Sequence, residues 1–267
     1  MHRSDLSNPL VYTIPINFTL VNYQTAIELM KYWDTLWLTM KHSLAVALIQ
    51  TAVCALTGYG FARFNFPGRN VLFGVVIMTI VIPIEAITTS LFMQFRYFDI
   101  FGIISLFTGE RGVNLLNTVS PLYILAFAGM GVRSGLFIFI FRQFFKNMPK
   151  EFEESAFIDG ANKVRTFVSI ILPNALPAII TVFLFSLVWQ YNDTVYSAIL
   201  LPTVEMMPTM LAALGNTVYT STQTQDLTWV NLVVQTGAVL VIAPMIIIYL
   251  FLQKLFIEGV ERSGIVG

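Results

Sequence analysis

Long apolar runs separated by short polar stretches make up most of this chain. A bilayer core takes about 20 mainly apolar residues per helix. Five stretches meet that requirement: about 40–62, 71–95, 119–141, 175–200 and 232–256. Each predicts a membrane-spanning helix. Pro83, Pro121 and Pro244 fall inside them. Neighbouring helices can satisfy the backbone groups a proline frees, so each run is expected to persist as one kinked helix. Residues 1–38 hold neither a span nor the apolar core of a signal peptide. Pro9, Pro15, Asn17 and the Asn22-Tyr23 pair mark them as an approach segment.

The pattern changes between Pro149 and Pro173. Here a charged, helix-forming island separates two apolar runs. Pro149 suits the first position of a helix, where its missing N–H costs nothing. Glu151, Glu153 and Glu154 follow in the first turn, where the helix dipole favours negative charge. Phe152, Ala156 and Phe157 share one face. Gly160 interrupts, and Ala161, Val164, Phe167 and Val168 continue an apolar stripe. Two short helices bent near Asp159-Gly160 are expected, with Leu172-Pro173 starting the return to the membrane. Such a segment could lie on lipid. The crowded glutamates argue against that, because an anionic leaflet repels them. The other expectation is a docking element for a groove on a partner.

Composition agrees with a membrane protein. The chain is 56% hydrophobic and only 11% charged, against about 25% charged in ordinary soluble domains. Net charge is zero, so nothing suggests a nucleic-acid partner. The single cysteine, Cys54, lies in an apolar run, and His2 and His42 lack partners at metal-ligand spacing. Lys/Arg bias sets orientation. Arg63, Arg69, Arg142, Lys146, Lys150, Lys163, Arg165, Lys254 and Arg262 fall on one side. That places the 142–173 loop and the C-terminus inside, and segments 1–38, 96–118 and 201–231 outside. With segment 1–38 outside and no span before it, the expectation is either that the chain lacks a first helix, the favoured reading, or that translation starts upstream of Met1.

Three ionisable residues fall in or near the spans: Glu85, Arg133 and Asp193. Charge at the bilayer centre is costly, so such groups face protein or a cavity. Arg133 sits among small residues, in Gly129-Met130-Gly131-Val132-Arg133-Ser134-Gly135, which permit close helix packing. It is expected either to pair with Glu85, Asp193 or backbone carbonyls, or to touch solute. Trp189, Tyr191, Asn192 and Asp193 form a polar-aromatic cluster. A ring can stack on the C–H face of a sugar while amide and carboxylate bind its hydroxyls. An interfacial aromatic belt is the competing expectation. Segment 201–231 reads as an outer loop.

The 149–173 island carries a specific likeness. Glu154-Ser155-Ala156, Gly160, Ile170 and Leu172-Pro173 match at every interval the "EAA" loop of ABC importer permeases. Ser155 stands where the family has alanine. Tyr59-Gly60-Phe61-Ala62-Arg63-Phe64 with Phe66-Pro67-Gly68-Arg69 resembles the carbohydrate branch. So do Asn17-Phe18-Thr19-Leu20, Arg142-Gln143-Phe144-Phe145, Trp189 with Asn192-Asp193, and Phe256, Gly259 and Gly267. The most similar type is the second permease of maltose-type sugar systems.

That resemblance implies an all-α integral membrane fold, the type I ABC importer transmembrane domain. It would occupy 39–267, with five spans here and the family's first of six helices absent. It implies coupling residues at Glu151, Glu154, Ser155, Ala156, Asp159, Gly160 and Ala161. It places Trp189, Tyr191, Asn192, Asp193, Arg133 and Glu85 along the substrate path. Partners would be a second permease, two ATPase subunits, an extracellular solute-binding protein, a carbohydrate substrate and membrane lipid. No cofactor is expected in this chain, with ATP and Mg on the ATPases. Location would be a bacterial or archaeal cell membrane. No Gly-x-x-x-x-Gly-Lys phosphate loop occurs. Competing expectations are a permease for another solute or, from a different class, an ion-driven secondary transporter. No repeat between halves supports the latter. A membrane-embedded enzyme would need a metal set or nucleophile triad, and neither is evident.

Overall fold

The structure is a computed structural model. It describes residue 5, residues 16–224 and residues 226–262, without the side chains of residue 108 and of residues 254–262. Pro9, Pro15 and Gly267 lie outside the described residues, as do the side chains of Phe256 and Arg262.

The described chain is helical. α1 (Val21–Leu29) turns through Lys31, at φ 45°, into the long α2 (Tyr32–Arg63). α3 (Arg69–Val81) and α4 (Thr88–Arg96) flank Pro83 and a 3₁₀ turn, Ile84–Ile87. α5 (Ile103–Thr108), α6 (Ser120–Phe127) and α7 (Ser134–Asn147) follow. The loop region holds α8 (Glu151–Ile158) and α9 (Lys163–Thr166), a π turn (Phe167–Ile171) and α10 (Leu172–Asn174). α11 (Leu176–Tyr191), α12 (Val195–Leu200), α13 (Met207–Thr222) and α14 (Leu227–Arg262) complete it.

Among the described residues, two helices are long and apolar enough to cross a membrane, Tyr32–Arg63 and Leu227–Gln253. α3 with the Ile84–Arg96 segment, bent by 104°, and Lys163–Asn174 with α11, bent by 76°, raise this to four if each pair is one span. Of the expected kinks, the one at Pro83 is thus a break. At Pro83 the extended backbone (ψ 138°) removes a ladder bond and redirects the chain. The run 119–141 is not one helix, because the chain leaves helical geometry between α6 and α7, where Gly129 (φ 69°) and Arg133 (φ 59°) are left-handed. Pro121, at the start of α6, and Pro244, inside α14, are tolerated.

The chain divides into two compact units. The first is 1–42 with 191–250. Its core joins Ala26, Met30, Tyr32, Tyr191, Met207, Leu214, Val218 and Val233. Segment 201–231, expected as a loop, carries α13. Pro208 opens this helix, and Met207, Leu214 and Val218 bury one face at helical spacing.

The second unit is 43–190 with 251–267. Phe137, Phe141 and Phe145 recur every fourth residue on α7 and are fully buried with Cys54, Tyr59, Ile171, Ala175 and Val182. Gly58 lets α2 approach α7, where a Cβ would stand 2.5 Å from that of Phe141. The small residues around Arg133 do permit close packing: a Cβ on Gly135 would collide with Thr79 and Val76 of α3.

Candidate functional site

The 142–173 loop builds itself from local rules. Glu151, not Pro149, is the first residue of α8 and Lys150 its N-cap, so the proline sits two residues before the position expected for it. The three glutamates do fill the first turn. Gly160, at φ 80°, ends the helix in the left-handed turn that glycine adopts at no steric cost. The Ala161 N–H then donates to the Ala156 carbonyl at 2.9 Å. The Asn162 side chain accepts the Arg165 N–H at 2.8 Å and caps α9. Two helices bent at Asp159-Gly160 are therefore present, and the return begins with the bend at Ala175.

Which faces are covered differs from the expectation. Glu151, Glu154, Ser155, Asp159 and Gly160 are exposed, and Ala161 is half-buried. Ala156 is only 2% exposed. It packs inward and positions the helix, so it is no docking contact. Ile158 is 86% exposed, and Phe152, Phe157, Val164 and Val168 also face outward. The expected apolar stripe is therefore uncovered only in part: Ala156, Thr166 and Ile171 are buried, and Phe167 packs on the Tyr59 ring.

The loop is anchored by a contact the motif does not contain. Arg63 Nε lies 2.9 Å from Glu153 Oε1, with side chains 6% and 14% exposed. Arg63 Nη2 also donates to the Met148 carbonyl at 2.6 Å. Beside this pair, the Tyr59 ring meets Phe145 and Phe167. One end of α2 thus grips the start of α8. The available sequence signal was an arginine ending an apolar span beside a first-turn glutamate.

In the same unit, Arg133 is exposed and caps α7 from a left-handed backbone. Its guanidinium carbon lies 5.8 Å from the centre of the Trp189 ring. Trp189 also stacks on Phe137 and Phe185, at 5.5 and 5.7 Å. The expected pairing with Glu85 is not found: Arg133 makes no ion pair among the described residues, and Glu85 is exposed in the turn after Pro83. The arginine meets an aromatic face instead. Beside it, the fully buried Gln50 bonds Val132, Ser134 and Ser186. These polar groups were missed. A glutamine within an apolar span was the sign, because such groups face protein partners. Gln50, Arg133 and Trp189 each stand about 20 Å from the loop-side ends of α2, α7 and α11, at 1.5 Å per residue.

The other half of the polar-aromatic cluster falls in the first unit. Tyr191 is 0% exposed, and its hydroxyl donates to the Val241 carbonyl at 2.9 Å. It is a core residue, which removes it from the surface that lines a path. Asp193 Oδ2 accepts the Ser197 N–H at 3.0 Å and so caps α12. Asn192 is exposed. The break at 192–194 separates α11 from α12, so 175–200 is not one helix.

Comparison with known proteins gives consistent results. A family model described as binding-protein-dependent transport system inner membrane component matches residues 54–262. The arabinooligosaccharides transport system permease protein AraQ of Bacillus subtilis is 27% identical, covering 85% of this chain and 72% of the relative. The sn-glycerol-3-phosphate transport system permease protein UgpE of Yersinia pestis is 27% identical, over 82% and 69%. The osmoprotective compounds uptake permease protein GgtD of Synechocystis is 25% identical, over 93% and 75%. A chain in a solved bacterial ABC transporter that imports the acidic polysaccharide alginate superposes with a TM-score of 0.67. Its identity is 21%, over 94% of this chain and 84% of that one, so the likeness is one of fold.

Proposed function

We propose, since this chain belongs to the family of binding-protein-dependent transport system inner membrane components, that it is the permease subunit of an ATP-driven importer for a sugar or oligosaccharide. The 142–173 loop carries the proposal. It presents Glu151, Glu154, Ser155, Asp159 and the bare apolar side chains of Phe157 and Ile158, while Arg63 and Glu153 fix its base. A rigidly held helix with an unpartnered apolar face is the form a groove-docking element takes. The groove belongs to a separate ATPase subunit, which binds ATP and Mg. Closure of two such subunits moves the permease pair between its two access states. The loop and the C-terminus then lie in the cytoplasm, and a solute-binding protein delivers from the other side.

The solute class is carried over from the AraQ-type relatives, supported by the aromatic and guanidinium groups at Trp189 and Arg133. Relatives named for osmoprotective compounds and sn-glycerol-3-phosphate supply the competing solutes for an uptake assay. The docking surface is tested with a cysteine at Ile158, the most exposed loop side chain named above. Ala156 would be silent there because it is buried, and so is the native Cys54. Cross-linking to an ATPase subunit is expected. Cross-links to lipid alone would overturn the docking assignment.

A further inference from the structure

An amide inside an apolar helix is costly unless its donors and acceptors are matched. Gln50 is fully buried and matched on three sides. Its Nε2 donates to the Val132 carbonyl and to the Ser134 hydroxyl oxygen, each at 2.7 Å. Its Oε1 accepts from the Ser186 hydroxyl at 2.7 Å. Gly131 leaves room for this approach, since a Cβ there would stand 3.2 Å from Nε2.

These partners have a common geometry. Val132 and Ser134 flank Arg133, whose left-handed backbone (φ 59°) is unfavourable for a side chain with a Cβ. Such a conformation persists only where neighbours hold it. Ser186 lies one helical turn before Trp189 on α11 and shares its face. One amide therefore ties the backbone on both sides of Arg133 to the turn that carries Trp189. It also satisfies backbone that the break between α6 and α7 frees at membrane depth.

We propose that Gln50 is a positioning residue that holds Arg133 against Trp189 in the solute path. This rests on the function proposed above. Released from Gln50, α7 extends backward through Arg133 into ordinary right-handed geometry. The guanidinium then swings off the ring.

The test uses the assembled importer with 5-fluorotryptophan in this chain alone. Trp33, Trp37 and Trp229 are replaced by phenylalanine, so Trp189 gives one fluorine resonance. Arg133→Gln should shift that resonance. Gln50→Met should shift it the same way, and the double variant should add nothing further. Uptake should fall about tenfold in Gln50→Met, the effect of leaving buried polar groups unmatched, with basal ATPase activity retained. The double variant should transport no worse than Arg133→Gln. Should Gln50→Met fail to assemble, Ser186→Ala removes one of the three bonds and should give a smaller shift in the same direction. An unmoved resonance in Gln50→Met or, failing that, Ser186→Ala, or uptake losses that simply add, overturns the positioning role. Full uptake in Arg133→Gln with a shifted resonance overturns the path assignment and leaves the positioning intact.

Discussion

Replacing Glu153 with leucine would leave the Arg63 guanidinium buried without its carboxylate. The two groups stand 2.9 Å apart, with side chains 6% and 14% exposed, so solvent screens them little. An exposed pair would contribute about 0–1 kcal/mol. Removing one partner of a buried pair costs about 3–5 kcal/mol, because the remaining charge is uncompensated. Arg63 keeps its 2.6 Å bond to the Met148 carbonyl, which favours the low end of that range. About 3 kcal/mol is roughly a hundredfold shift between the held and released loop. Leucine is a good helix former, so α8 itself survives. Hydrogen exchange at the amides of residues 153–161 reads the release directly. Solute carried per ATP hydrolysed reads its consequence. The double variant Arg63→Met with Glu153→Leu should recover most of the protection, since two apolar groups replace the ion pair without stranding a charge. Unchanged exchange in Glu153→Leu, or a double variant as unprotected as the single, would refute the anchoring argument.

Tyr191→Phe should lower thermal stability by about 1 kcal/mol through the lost bond to Val241, with uptake per assembled importer kept. Lost uptake at unchanged stability would instead make Tyr191 a path residue. Asp99 accepts the N–H groups of Ile104 and Ser105 at the start of α5, at 2.8 and 3.2 Å. Its carboxyl is held below the ordinary carboxylate range, first by the Ser105 side chain and then by those N–H groups. A depressed value means that the cap is complete above the ordinary carboxylate pKa and fades as pH falls through the lowered one. Protection of the Ile104 amide, relative to its intrinsic exchange rate at each pH, should therefore hold at neutral pH and fall only in acid; a loss already near neutrality would contradict the cap.

Much of the loop was legible in the residue pattern alone. The three glutamates and Gly160 act through helix ends and turns, which involve residues a few positions apart. The α8–α9 bend follows from those local rules, and so does the matching motif spacing. The apolar runs were legible for a similar reason, since hydropathy is a property of a window.

Continuity within those runs was not. Pro83 breaks a helix where a kink was expected, the chain also breaks at Gly129 and Arg133 where none was, and Met207–Thr222, within the expected loop, folds into α13 because Met207, Leu214 and Val218 find a core. Whether a freed backbone group is tolerated depends on who faces it. At Val132 that partner is Gln50, 82 positions away, and Ser186 meets the same amide from 136 positions away.

The sequence by itself determined that the chain is helical, apolar enough for a membrane and marked at 149–173 by the spacing of a permease-family motif. Local backbone chemistry and summed hydrophobicity suffice for that. Only the tertiary structure decided that Glu153 is gripped while Glu151 and Glu154 stay free, that Ala156 turns inward, that Tyr191 is core, and that Arg133 rests on Trp189. Burial and pairing depend on side chains brought together from distant positions, and a one-dimensional pattern does not contain those distances.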